Sequence, residues 1–142
     1  MAAPVSPITV SAAVAAPAEQ AWALWTSPDH ITRWNHASDE WHTPRATNDL
    51  RPGGRFEFRM EARDGSVGFD FGGTYETVEP MQRLVYRLDD ERRVEVAFEP
   101  SENGVHVTET FEPESVHPVE MQQAGWQAIL DNYKRYAQAA GA

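Results

Sequence analysis

The spacing of apolar and polar residues changes several times along this chain, and each change marks a predicted element. "ITVSAAV" from Ile8 alternates, predicting an early strand that ends before Pro17. "PAEQAWALW" then follows a helical period, with Ala21, Leu24 and Trp25 on one face and Glu19 in the first turn, where the helix dipole favours an acid. Next, Ser27 is a candidate cap whose side chain can accept from a backbone amide, Pro28 suits a first helical position, and Asp29 sits at the positive end. Two short helices, Pro17 to Thr26 and Pro28 to Trp34, therefore meet at a bend. "HASDEWH" reads as a loop running into a strand.

Period two then dominates. In "GGRFEFRMEAR" Phe56, Phe58, Met60 and Ala62 point one way, while Arg55, Glu57, Arg59, Glu61 and Arg63 point the other. Asp64-Gly65 is a turn signal, and "GFDFGGTYETVE", "QRLVYRLD", "RRVEVAFE" and "GVHVTETFE" follow as strands separated by short turns. Connections this short predict an antiparallel meander. The last element runs from Pro118 to about Ala140, with Val119, Gln122, Trp126, Ile129, Tyr133 and Tyr136 at helical spacing. The order predicts an α+β domain in which a curved sheet wraps a long C-terminal helix. One domain over 1–142 is expected, its core at about 8–138.

Composition removes several function classes. The formal net charge of -10 repels phosphate backbones and anionic membrane surfaces, so neither nucleic acid nor membrane is an expected partner. Without cysteine there is no disulfide, thiolate nucleophile or Cys-type zinc site, and a cytoplasmic location fits. The Ala-rich start is interrupted by Pro4, Pro7 and Pro17 and has no basic residue before Arg33, so it reads as mature sequence and not as a signal peptide.

Among the polar candidates, His36, Asp39, Glu40 and His42 lie close in sequence but match no helical zinc spacing, so no metal is expected. Trp34 and Trp41 are instead candidates to clamp a ligand at a cavity mouth, with His42 fixing its polar end. Glu109 shares the apolar phase of Val105, Val107 and Phe111 and so should point inward. A buried acid needs a partner, for which Gln122 or Arg92 is a candidate, or it acts as a ligand anchor or general acid or base with a raised pKa. His106 falls on the outward phase, and His117 is a helix-entry residue. "RPGG" and "FGGT" precede no helix and cradle no phosphate. The inward positions are unusually aromatic: Phe56, Phe58, Met60, Phe69, Phe71, Tyr75, Tyr86 and Phe98 should face Trp126, Ile129 and Tyr133, leaving a hollow or filling it.

The passages "PAEQAWALWTSPDHITRWN", "LRPGGRFEFRMEARDGS", "YETVEPMQRLVYRL" and "VTETFEPESVHPVEMQQAGWQAILDNYKRY" resemble the family of activator of heat-shock protein 90 ATPase homologues. That family belongs to the START-like (SRPBCC) superfamily of helix-grip folds, which includes polyketide cyclases and pollen-allergen relatives. The resemblance spans Ile8 to Gln138. It implies a pocket for a hydrophobic or aromatic small molecule, lipid or polyketide, without a cofactor. Two alternatives accompany this binding role: a cyclase- or hydrolase-like enzyme using Glu109, and a chaperone-binding role. The named activators carry an additional N-terminal domain, and this chain begins its own almost at once, which weakens the chaperone reading. A binder is favoured over an enzyme, as a monomer or homodimer.

Overall fold

The computed structural model describes residues 6–140, in the order β1 (Ile8–Val14), α1 (Ala18–Thr26), α2 (Pro28–Trp34), β2 (Trp41–Asn48), β3 (Arg55–Ala62), β4 (Gly68–Glu79), β5 (Arg83–Leu88), β6 (Arg93–Ser101), β7 (Gly104–Phe111) and α3 (Val119–Ala140). Pro4, one of the prolines in the reading of the chain start, lies outside the described residues. All the strand pairs are antiparallel, in one sheet ordered β1-β7-β6-β5-β4-β3-β2. Strands β2 to β7 form the expected meander, and β1 returns to pair with β7. With α1 and α2 after the first strand and α3 in the curl of the sheet, this is the helix-grip fold.

The alternation of residue types decides which face is buried. In β1 every second residue from Ile8 is buried, and in β7 Val105, Val107, Glu109 and Phe111 are buried. The opposite face carries arginine–carboxylate pairs that cross between strands, such as Arg55 with Asp89 at 3.0 Å and Arg87 with Glu76 at 3.6 Å. These pairs are half-exposed and each contributes roughly 0–1 kcal/mol, so they keep that face solvated without holding the fold. The strand β2 contains Pro44, which has no amide to donate. It is tolerated because β2 is an edge strand and because its register with β3 shifts between His42 and Arg45, across the proline.

Helix α3 packs along β1, and hydrogen bonds fix its register. Gln127 Nε2 donates to Ser11 O at 3.0 Å, and the Ala15 amide donates to Gln138 Oε1 at 3.0 Å. The Tyr133 hydroxyl donates to Ala21 O at 2.6 Å, and Asn132 Nδ2 donates to Trp34 O at 2.8 Å, tying α1 and α2 to the same helix. Around that junction Trp25, Trp34 and Tyr133 meet with ring centroids 4.8–5.0 Å apart. Such tilted and edge-to-face contacts add to the area these rings bury.

Two local expectations need correction. Ser27 makes no side-chain cap; its carbonyl instead accepts from the His30 and Ile31 amides, and the bend is set by its extended backbone and Pro28. Val119, placed by its spacing on the buried face of α3, is 46% exposed, because the helix begins in a solvent-facing turn in which Met121 is exposed as well.

Gly73 shows why a residue without a side chain sits in β4. It pairs with Phe56, and a Cβ there would lie 2.5 Å from Arg87 O and 3.0 Å from a Phe56 ring carbon. Gly125 in α3 has nothing within 4 Å of the same added atom. Gly73→Ala is therefore expected to lower stability by roughly 1–3 kcal/mol through overpacking. Gly125→Ala should raise it by about 0.5–1 kcal/mol through helix propensity. Urea denaturation checks both, as opposite shifts of midpoint at unchanged slope.

Candidate functional site

Between α3 and the β3–β5 part of the sheet lies a cavity of about 180 Å³. Strands β3 and β4 supply the floor, because "RFEFRM" and "FDF" place a large apolar side chain at every second position. Phe56, Phe58 and Met60 face Phe71 and Tyr75 across the strand pair, and Tyr86 continues the surface on β5. The helices close the other side with Trp126 and Ile129 of α3, Trp34 of α2 and Trp25 of α1. The rings brace one another: Phe56 lies 4.9 Å from Tyr86 and 5.2 Å from Phe58, and Trp126 stacks on Phe111 at 3.8 Å. Phe69 lines the same space yet is 47% exposed, which makes it the rim of the opening.

One ionisable carboxyl enters this apolar space. Glu109 is 5% exposed and lines the cavity, as its phase predicts, because β7 keeps an unshifted register with Val10 on one side and Val96 on the other. Among the described residues no side chain or backbone group hydrogen-bonds its carboxyl. Burial alone pushes its pKa up to about 8, so the group is mostly neutral at pH 7. The Tyr86 hydroxyl is held well above its ordinary range by burial and by the neighbouring Glu109 charge. Tyr75 is differently placed: its hydroxyl donates to Asn48 Oδ1 at 2.7 Å, and Asn48 Nδ2 donates to Thr26 O at 2.8 Å. This chain of bonds ties β4 to α1 and leaves the Tyr75 ring as wall.

The structure brings together Trp34, Phe56, Phe58, Met60, Phe69, Phe71, Tyr75, Tyr86, Glu109, Trp126 and Ile129 of the sequence-based candidates. The others take different positions. Trp41 and His42 begin the edge strand β2 and are not among the lining residues: Trp41 packs on the rim residue Phe69 at 6.0 Å, and His42 faces Glu61 at 3.8 Å. Trp34 lines the cavity from a packed position, with its Nε1 donating to Leu24 O at 2.9 Å. Phe98 is core, set against Trp22 and Trp25, and Tyr133 is held under α1.

Neither expected partner reaches Glu109. Gln122 bonds the Glu114 amide and carbonyl and the His117 carbonyl, so it secures the β7–α3 connection. Arg92 pairs with Asp90 and reaches Glu112 O. His36, Asp39, Glu40 and His42 do not converge, and no cluster of metal-ligating side chains occurs among the described residues. His36 instead meets Asn132 at 3.1 Å, with its pKa lowered chiefly by burial.

Two lining residues fall outside the sequence-based expectation. Trp25 carried a signal, since it shares the apolar face of α1 with Ala21 and Leu24. Asn35 carried none; its side chain donates to Thr43 Oγ1 at 3.3 Å while Thr43 donates to the Asn35 carbonyl at 2.6 Å, an α2–β2 clasp that only the fold creates.

The family model described as "Activator of Hsp90 ATPase homolog 1-like protein" matches residues 15–138. No curated protein matches the chain. Among solved structures, the AHSA1-like protein from Aeromonas hydrophila is 49% identical, with a TM-score of 0.90 over 95% of this chain and 94% of that one. A protein from Cytophaga hutchinsonii is 43% identical, with a TM-score of 0.82 over 94% of this chain and 93% of that one. A protein from Nitrosomonas europaea at 19% identity shares the fold, with a TM-score of 0.82 over 95% of this chain and 96% of that one.

A carboxyl whose pKa rises on folding stabilises the protein fully below its unfolded pKa, and that contribution is lost as pH rises toward the folded value. For Glu109 the window runs from 4.5 to about 8. His36 acts in the opposite sense, because its lowered pKa favours folding above the ordinary histidine range. Comparison with Glu109→Gln removes that background. The variant is expected to gain roughly 3 kcal/mol on wild type between pH 5 and pH 8. Chemical denaturation at the two pH values checks this; a difference independent of pH would mean that Glu109 is already ionised in the folded protein.

Proposed function

The chain belongs to the activator of Hsp90 ATPase homolog 1-like protein family, and we propose that it binds a small hydrophobic or aromatic molecule between the sheet and α3. The supporting observation is the cavity itself, a hollow of about 180 Å³ walled by rings and entered by a single unpartnered carboxyl. A side chain of similar bulk to its neighbours would have closed such a space, and close packing is the rule in protein interiors. Instead the rings brace one another, Phe71 meets Trp126 of α3 edge-on at 6.2 Å, and the opening past Phe69 gives a route from solvent. The volume limits the ligand. An apolar cavity of about 150 Å³ accommodates benzene, whereas drug-sized ligands occupy pockets of roughly 300–1,000 Å³. The expected ligand is therefore one ring with a short substituent, or an aliphatic molecule of that size. The proposal rests on this geometry and not on the chaperone named in the family's description.

Trp25, Trp34 and Trp126 line the cavity, so tryptophan fluorescence reports its occupancy directly. A titration series of monocyclic aromatic and short aliphatic compounds should give saturable quenching or shift, together with a rise in melting temperature that follows ligand concentration. Ile129→Trp, which places a larger side chain from α3 in the hollow, should weaken binding at least about tenfold while the fold persists. Binding unaffected by that substitution would locate the ligand elsewhere, and absence of saturable binding across the series would refute the proposal.

A further inference from the structure

Resting on the reading of the cavity as a binding site, we propose that its ligand is a protonated amine carried on a single aromatic ring or a short alkyl stem, with the ammonium paired to Glu109. The lining residues carry no Lys, Arg or His. Glu109 therefore has no counter-charge on its own wall, and the remaining polar atoms of the lining side chains are the Asn35 amide, the Tyr75 and Tyr86 hydroxyls and the tryptophan N–H groups, all of them neutral. Asn35 is engaged with Thr43, and Tyr75 with Asn48. A neutral hydrocarbon would fill the hollow and leave the carboxyl unpartnered. A carboxylate ligand would find no cation to meet it. An ammonium supplies what the wall lacks, a positive donor in a water-poor space where a charge-assisted hydrogen bond is strongest.

The aromatic wall favours the same charge. The cavity is walled largely by aromatic side chains, and a cation over a ring face is attracted within roughly 6 Å of its centroid. Three of the lining residues, Trp25, Trp34 and Trp126, carry the ring type that attracts cations best. Outside the cavity, the net charge of -10 draws small cations toward the protein and disfavours anions.

Proton balance follows from the pairing. The free site holds Glu109 mainly as the neutral acid; when an ammonium binds, the carboxyl proton leaves to solvent and the carboxylate remains opposite the cation. No other facing group takes that proton. Val10 of β1 and Val96 of β6 flank Glu109, Trp126 and Ile129 face it from α3, and Trp34 and Asn35 from α2. Tyr75 and Tyr86 are the other titratable groups in the lining, and burial pushes both of their hydroxyls above the ordinary tyrosine range. Affinity for the amine should therefore rise with pH, by up to about tenfold per unit, until the free carboxyl itself ionises.

The test is a charge series on one skeleton: 2-phenylethylamine, 2-phenylethanol, phenylacetate and ethylbenzene, titrated against the full chain by tryptophan fluorescence and calorimetry at pH 6, 7 and 8. The amine is expected to bind at least about tenfold tighter than the alcohol at pH 7, with one-proton release and affinity increasing from pH 6 to pH 8. In Glu109→Gln, which keeps the shape and removes the charge, that preference should fall to within about twofold. Alcohol or hydrocarbon binding as well as the amine would overturn the cation assignment and leave the binding reading intact. An amine preference that survives in Glu109→Gln, or that shows no pH dependence in wild type, would also overturn it. Failure of all four compounds, in a protein that near-ultraviolet dichroism shows to be folded, would remove both.

Discussion

One helix laid in the curl of a seven-stranded sheet cannot touch every strand equally, and the rest of the molecule follows from how that mismatch is met. Along β1 the inward residues are small and aliphatic, among them Val10, Ala12 and Val14, and α3 settles there with Leu130 and Ala137 fully buried. Toward β3, β4 and β5 the inward residues include a cluster of rings. These are rigid and braced on one another, with Phe56 in contact range of Phe58, Phe71, Tyr75 and Tyr86. The cluster meets the helix at Phe71 and Trp126, and the space beside that contact persists as a cavity.

The carboxyl in that cavity has a cost that the fold does not offset internally. Desolvating an acid without a partner raises its pKa, and the folded protein keeps Glu109 by keeping it protonated. Gln122, the residue on α3 that a helical-face reading would set opposite it, is committed to the loop that leads into the helix. Stability and a ligand site therefore pull against each other at one residue. The hollow and the unpartnered acid together form a place where binding can return what folding gives up.

Much of this architecture is legible in the chain. The alternation in "RFEFRM" and in "GVHVTETF" identifies strands and faces, and it identifies Glu109 as inward, because a strand has only two sides. The helix pair is legible from Ser27-Pro28, although the serine acts through its carbonyl and not its side chain. What is not legible depends on distances between elements. Trp41 and His42 adjoin the second helix in sequence, yet on the edge strand β2 they stand outside the lining, Trp41 against the rim residue Phe69 and His42 beside Glu61. Phe98 and Tyr133 have the same phase and chemistry as the lining residues, and only the seating of α1 makes them core. Whether rings fill a space or frame it is set by how far the helix stands from the sheet, which no local pattern encodes.

The binding site depends on a neutral, unpartnered carboxyl inside an aromatic cavity. The most direct test is a titration of the Glu109 side-chain carboxyl by carbon-13 NMR in the ligand-free protein, assigned by comparison with Glu109→Gln. The structure predicts a midpoint near 8, far above the ordinary 4.5. A midpoint in the ordinary glutamate range would contradict the account, because it would mean that solvent or a protein group already satisfies the charge.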